Sequence, residues 1–439
     1  MDKQHTKAWS WIPTLYFAEG LPYVIVMTVA VIMFKLMGMS NTDIALYTSG
    51  LYLPWVIKPL WSPFIDLLKT KRWWIVSMQL LIGAGLGGIA LTLNGPDPIR
   101  YCLAFLWILA FSSATHDIAA DGFYMLALQE KDQAYFVGIR NTFYRLAIIA
   151  GQGGIVMLAG FLEKYYSSTQ PVQEAIPQAW SIVFYLTTAL FTLLFIYHHF
   201  LLPHPICDTI SESAQPKNIR QIFHEFFETF LSFFQKKGII PALFFILFYR
   251  FAESQLVKIT SPFLLDPAEQ GGLGLSTSTV GVIYGTVGVV ALTIGGIIGG
   301  IYIARKGFLS SLWFMTCAMN LPNLVYLYLA FVRPENPYWI STCVTIEQLG
   351  YGFGFTSLTY FMMLFSAGKQ QTAHYAICTG FMALGMMLPG MISGWIQEMT
   401  SYQTFFIWIM LATIPSFIAT YAIRKGEWGH STKVCSAIF

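Results

Sequence analysis

Long, almost uncharged apolar stretches follow one another along nearly the whole of this chain. A helix needs about 20 such residues to cross a bilayer core, and inside the hydrocarbon every backbone N–H and C=O must be satisfied within the protein. The stretches place spans at approximately 9–35, 43–66, 73–93, 100–127, 134–162 and 179–201, then at 239–264, 277–303, 308–331, 338–366, 371–397 and 402–423. The fold class that follows is an all-α polytopic membrane protein with twelve transmembrane helices. Charge agrees: Asp, Glu, Lys and Arg make up 11% of the 439 residues, against about 25% in soluble domains.

The same composition excludes several functions. A net charge of +3, with no basic cluster alternating with aromatics, offers nothing to nucleic acid. The six cysteines form no CxxC or Cys/His pair, so neither a disulfide framework nor a metal site is expected. No P-loop, zinc motif or nucleophile elbow is present, and the chain reads as a non-enzyme without a cofactor. The N-terminal residues run straight into the first apolar stretch, with no short h-region and cleavage site, so span one is expected to be retained.

The widest polar gap, 202–237, divides the chain into a six-helix half at 1–201 and another at 238–439. Within the gap Ile219, Ile222, Phe223, Phe226, Phe227, Phe230 and Phe234 recur at helical spacing, which predicts an amphipathic helix on the membrane surface, with partner docking as the alternative. With the N-terminus inside, only Lys35, Arg100, Lys164 and Arg333 flank spans on the outside, while the other flanking lysines and arginines cluster inside. That bias sets both termini in the cytoplasm. The halves also repeat: Phe17-Ala18-Glu19 of span one matches Phe251-Ala252-Glu253 of span seven, and Gly160-Phe161-Leu162-Glu163 resembles Gly394-Trp395-Ile396-Gln397.

The informative residues are the charges left inside the spans: Glu19, Lys58, Asp117, Asp121, Arg140, Arg145, Arg250, Glu253, Lys258 and Glu347. An ionised side chain at mid-membrane costs about 2.5–3.5 kcal/mol on insertion scales, so each must face a cavity or a partner. They serve either as structural ion pairs between helices or as a path for a polar substrate and protons. Spans four and five form a hairpin, and its geometry sets Asp121 level with Arg140, with Asp117 and Arg145 nearer mid-membrane. Asp117 and Asp121 share a helix face. Arg250 and Glu253, three apart on span seven, are placed to pair locally. Glu19 and Glu347 have no sequence-local cation, which makes them candidates to carry a proton or to act as neutral hydrogen-bond donors between helices. Lys58 is expected to snorkel to the inner interface, and His116 to be a packing histidine.

Glycines recur in spans three, five, eight and ten, where small residues let helices approach closely. Gly20-Leu21-Pro22 in span one and Pro389-Gly390 in span eleven are candidate gating bends, because proline removes a helix hydrogen bond.

At these residues the chain resembles the major facilitator superfamily and, within it, the AmpG-like muropeptide permease and acetyl-CoA transporter group. The resemblance rests on Gly20-Leu21-Pro22, on Lys58-Pro59-Leu60-Trp61-Ser62-Pro63 with Asp66, and above all on Asp117-Ile118-Ala119-Ala120-Asp121-Gly122. Tyr144-Arg145-Leu146, Tyr249-Arg250 with Glu253, and Glu347 with Gly350, Gly352 and Gly354 extend it. It implies proton-driven import of muropeptides or related amino-sugars across the inner membrane; the sequence itself gives no reason to invoke an oligomer, so a monomer is expected. Asp117, Asp121 and Arg145 would be the span-four carboxylates and the span-five arginine, and Asp66 would sit at the gating loop between spans two and three. Lys69-Thr70-Lys71-Arg72 lacks the glycine of the superfamily's usual loop motif. Other bulky polar ligands for such a carrier are an acyl-CoA, a nucleotide, a siderophore or a sugar.

Overall fold

The computed structural model describes residues 8–205, 208, 219–368 and 370–426. All regular structure among them is helical. Among the described residues ten helices are long and apolar enough to cross a membrane: Ile12–Leu36 (span one), Lys71–Thr92 (three), Pro98–Ala127 (four), Gly138–Tyr166 (five), Val172–Leu201 (six), Ile239–Leu265 (seven), Thr277–Lys306 (eight), Phe308–Val332 (nine), Gln371–Met399 (eleven) and Tyr402–Lys425 (twelve). Asn41–Gly50 followed by Leu53–Leu68 takes the place of span two, and Pro337–Ser366 that of span ten. The chain is a multi-pass membrane protein.

Local chemistry sets the ends. Ser40 accepts a hydrogen bond from the Asp43 N–H at 3.0 Å and caps the first piece of span two. Pro54 opens the second piece, where its missing N–H costs nothing. Span three starts on two caps at once. Thr70 accepts from the Trp73 N–H at 3.1 Å, while the Asp208 carboxylate accepts from the Lys71 and Arg72 N–H groups at 2.7 and 3.0 Å. A carboxylate at a helix N-terminus satisfies orphan donors and opposes the helix dipole. Span one contains Pro22 and widens into a π turn at Ile25–Val29. Pro389, by contrast, lies inside an uninterrupted helix.

The chain packs as two compact units. The first comprises the chain up to Ile219 together with Leu275–Thr286. At one end of this unit Trp11, Tyr16, Ile65, Ile75, Phe123 and Phe136 form a buried core, with Trp11 edge-on to Phe123 at 5.3 Å. The start of span eight is tied in through Glu163, whose carboxylate accepts from Thr277 at 2.7 Å and from the Trp180 indole at 2.8 Å.

The second unit comprises Arg220–Gly274 and the chain from Val287 on. Its core gathers Phe233, Phe245, Tyr249, Leu312, Phe361 and Phe365. Spans eight and ten of this unit touch backbone to backbone: a Cβ on Gly352 would lie 2.0 Å from the Leu292 carbonyl oxygen, and one on Gly295 would lie 2.1 Å from that of Leu349. Only glycine permits that approach.

The helix foreseen in the polar gap forms at Ile219–Phe234. Its last turn is docked on protein. Phe233 is fully buried against Phe365, His374 and Phe381. Ser232 donates to Gln370 at 2.6 Å, and the Lys236 ammonium donates to the carbonyls of Phe365 and Ala367 at 2.6 and 3.1 Å. Phe227 and Leu231 remain exposed.

Candidate functional site

In the first unit, spans one, two, four and five bring five charged side chains together. Lys58 of span two meets Asp117 of span four at 2.5 Å, so Lys58 does not snorkel as its position near the end of span two suggested. One helical turn on, Asp121 is paired with Arg140 of span five at 3.1 Å, as the hairpin geometry requires. The Tyr16 hydroxyl accepts from Arg140 at 3.1 Å and donates to Asp121 at 3.2 Å, so it bridges the pair. The Arg140 guanidinium also lies over the rings of Tyr16 and Tyr124, at 4.8 and 5.1 Å from their centroids, which holds its plane in place. These ionic side chains keep 20–40% of their surface accessible, so the cluster faces open space.

Glu19, one turn beyond Tyr16, is buried and lies within electrostatic reach of Asp117, Asp121, Lys58 and Arg140. Among the described residues its Oε2 has no hydrogen-bond partner. Lys58 and Arg140 are balanced by the two aspartates, and Glu19 is the surplus carboxyl. Gly20 beside it lets span five close in, since a Cβ there would sit 2.9 Å from the Tyr144 carbonyl oxygen. Close packing thus accounts for Gly20. Arg145 is half-buried further along span five. The side chain of Asp66 lies outside the described residues.

His116 belongs to a buried chain that its sequence position did not reveal. Thr14 contacts the His198 Nε2 at 2.9 Å, His198 Nδ1 contacts the Gln79 Oε1 at 3.0 Å, and Gln79 Nε2 contacts the His116 Nε2 at 3.0 Å. Gln79 and both histidines are fully buried. Four spans are pinned behind Asp117 by this chain of polar side chains, which leaves only the His116 Nδ1 of its ring nitrogens without a partner among the described residues.

In the second unit span seven is interrupted. The helices Ile239–Phe248 and Phe251–Leu265 meet at Tyr249 and Arg250, where Arg250 leaves helical geometry with φ −106° and ψ 22°. Ser416 donates to the Tyr249 carbonyl at 2.8 Å, and the Tyr249 hydroxyl bonds Ser357 at 2.7 Å. The break aims Arg250 at span ten. Its guanidinium donates to the Tyr351 hydroxyl and lies over the rings of Tyr351 and Phe355, at 5.2 and 4.6 Å. The expected local pair with Glu253 is therefore not made: among the described residues no ion pair joins Arg250 to Glu253, although the two interact electrostatically.

Glu253 is 3% exposed and Glu347, on span ten, 1%. Glu347 accepts at Oε2 from the Tyr326 hydroxyl (3.1 Å) and the Gln348 amide (2.9 Å), and its carboxyl feels the Glu253 charge. Glu253 Oε2 and Glu347 Oε1 have no partner among the described residues. Lys258 is buried further along span seven. No group of metal-ligating side chains occurs among the described residues.

Comparison with known proteins places the chain. The sequence model of the Major Facilitator Superfamily matches residues 14–371. The anhydromuropeptide permease of Escherichia coli (strain K12) is 24% identical over 420 residues, covering 94% of this chain and 78% of that protein. A putative transporter, AmpG 4, of Rickettsia felis is 23% identical over 424 residues, covering 94% and 95%. In fold, the nucleoside transporter NupG superposes with a TM-score of 0.69 at 15% identity, over 97% of this chain and 100% of the other. A bacterial homologue of the human lysosomal transporter Spinster gives 0.68 at 14%, over 97% and 98%.

Proposed function

The chain belongs to the Major Facilitator Superfamily, and on that premise we propose that it is a proton-coupled symporter. It imports peptidoglycan-derived muropeptides or related amino-sugars across the inner membrane, as a monomer with both termini in the cytoplasm. The two transporting halves are 1–201 and 238–439, joined by 202–237. The observation that carries the reading is the cluster of Lys58, Asp117, Asp121, Arg140 and Tyr16, with Glu19 as surplus carboxyl. Ionic groups this costly in a membrane mark substrate and ion pathways. Partial exposure makes Asp117, Asp121, Arg140 and Arg145 available to the carboxylate and acetamido groups of such a ligand, for which arginine is suited. The relatives named for anhydromuropeptide transport support the substrate class.

Arg250, Glu253, Lys258 and Glu347 complete the substrate and proton path in the second half. Pro22, Asp66 and Pro389 are assigned to gating, and Gly20 to the close contact of spans one and five on which gating would slide; for Pro22 the π turn three residues on supports a flexible point. The test is uptake of labelled anhydromuropeptide into proteoliposomes with and without an inward-directed proton gradient. Accumulation only with the gradient is expected. Uptake indifferent to it removes the coupling, and no uptake removes the substrate class.

A further inference from the structure

Spans three and six of the first unit leave a furrow between them that runs from the Lys71 end of span three toward its Thr92 end, and its two parts differ in chemistry. At the Lys71 end lies an open cavity of about 380 Å³, lined by Arg72, Trp73 and Ser77 and by His199, His204 and Asp208. An apolar groove of about 480 Å³ continues in line with it. On span three Leu80, Gly83, Gly87 and Leu91 follow Trp73 and Ser77 on one face, and on span six Thr192 and Thr188 follow His199 and Phe195. The Thr188 and Thr192 hydroxyls donate back to the Phe184 and Thr188 carbonyls at 2.8 and 2.9 Å, which leaves their methyl groups for the groove. From Gln79 to Leu91 the groove runs about 18 Å at 1.5 Å per residue. One leaflet is about as deep, being half of a core of about 30 Å. Two glycines floor the groove without being required by packing. A Cβ on Gly83 would lie 3.5 Å from the Phe191 Cβ, and one on Gly87 would lie 3.4 Å from the Thr188 methyl, both ordinary contacts. At Gly88, by contrast, it would lie 2.3 Å from the Phe105 ring. Close packing accounts for Gly88, while Gly83 and Gly87 keep the groove deep.

The cavity supplies the charge that the groove lacks. The last turn of span six holds the Arg72 guanidinium, which donates from Nε to the Leu202 carbonyl at 3.2 Å and from Nη2 to that of His199. Its Nη1 has no hydrogen-bond partner among the described residues. The Lys69 ammonium stands 6.0 Å from the centre of the Trp73 ring. The carboxylate in the lining, Asp208, is turned onto the Lys71 and Arg72 N–H groups at 2.7 and 3.0 Å, so the start of span three meets its charge. Arg72 and Lys69, with two exposed imidazoles, therefore outweigh it. A tryptophan beside basic residues at a span end is placed at headgroup level, and basic pockets between spans there suit anionic heads. We propose that the furrow binds one anionic phospholipid of the inner leaflet, with its phosphate on Arg72 and His204 and one acyl chain in the groove. A free phosphate fills the cavity but leaves the groove empty, and a lipid without net charge fills the groove but leaves the cations unmet. The leaflet rests on the orientation proposed above; the binding does not.

The test titrates the purified full-length protein in detergent with phosphatidylglycerol and, separately, with phosphatidylcholine of the same acyl chains, and counts retained lipid by native mass spectrometry. Wild type is expected to hold one phosphatidylglycerol about tenfold more tightly than phosphatidylcholine, the scale of one charge-assisted contact. Arg72→Gln removes the cation, and Gly87→Leu fills the groove where a Cβ has room; each is expected to weaken phosphatidylglycerol about tenfold. His204→Glu brings a negative charge to the cavity on a side chain that is exposed and makes no hydrogen bond among the described residues. It is expected to weaken binding equally without disturbing the packing, so the proposal stays testable where Arg72→Gln does not fold. Inorganic phosphate in excess is expected to leave the lipid bound. Equal retention of the two lipids overturns the recognition of charge. Displacement by phosphate reduces the site to an anion site and overturns the lipid. Undiminished affinity in either His204→Glu or Gly87→Leu puts the retained lipid elsewhere and overturns the placement. These readouts are independent of the transported substrate, so failure of the symport reading leaves them standing.

Discussion

The two units both bury carboxylates, but they treat them differently. In the first, Asp117 and Asp121 each touch a cation, and the pairs remain partly accessible. In the second, Glu253 and Glu347 form no ion pair among the described residues and are almost fully enclosed. A paired carboxylate keeps its charge, because protonating it strands the partner. A carboxyl that touches no cation is able to change charge. On the function proposed above, the paired aspartates of the first half are the fixed charges that meet a ligand, with Glu19 beside them as an unpaired carboxyl, and the unpaired Glu253 and Glu347 of the second half are the carboxyls able to change charge.

The largest expected effect breaks the first half of this contrast. Lys58→Met strands Asp117 and lowers stability by about 3 kcal/mol, read as a drop in the thermal midpoint of the purified protein, with loss of uptake. Adding Asp117→Asn to it restores the midpoint but not uptake. Recovery of both would show that the pair is only structural. Next, Gln79→Leu removes the bridge between His198 and His116 and leaves both rings short of a partner. About 2 kcal/mol of stability is lost, again read as a midpoint shift, while the residual uptake keeps its pH profile. A changed profile would move the histidine chain from scaffold to chemistry. Glu19→Gln is close to isosteric, so the midpoint stays put and the pH dependence of uptake shifts. The smallest effect on transport is expected from Phe233→Ala, which undocks the end of the linker helix. Proteolysis near 230–237 accelerates, and uptake by the surviving intact protein is little changed.

Much of this was legible in the sequence, for physical reasons. Span lengths follow from bilayer thickness, and most helix ends fall within a few residues of the apolar boundaries. The Asp121–Arg140 pair was legible because a hairpin fixes depth along two sequence-adjacent helices. Lys58–Asp117 was not, because its partners sit on helices whose lateral packing no spacing encodes. The expected Arg250–Glu253 pair failed for a local reason. Three-residue spacing implies contact only on a continuous helix, and the helix breaks at Arg250 itself, where neither proline nor glycine marks the interruption. His116 reads alone in the sequence, and its partners come from three other spans. The linker helix announced its apolar face, but not that Phe233 would be docked inside protein.

The division of labour between the two units is tested most directly by measuring counterflow and gradient-driven accumulation side by side in Glu347→Gln and in Lys58→Met/Asp117→Asn. The account predicts that Glu347→Gln exchanges substrate but does not accumulate it, while the neutralised first-unit pair does neither. The opposite pattern, with exchange kept by the Lys58/Asp117 variant and lost by Glu347→Gln, would place the changeable charge in the first unit and contradict the account.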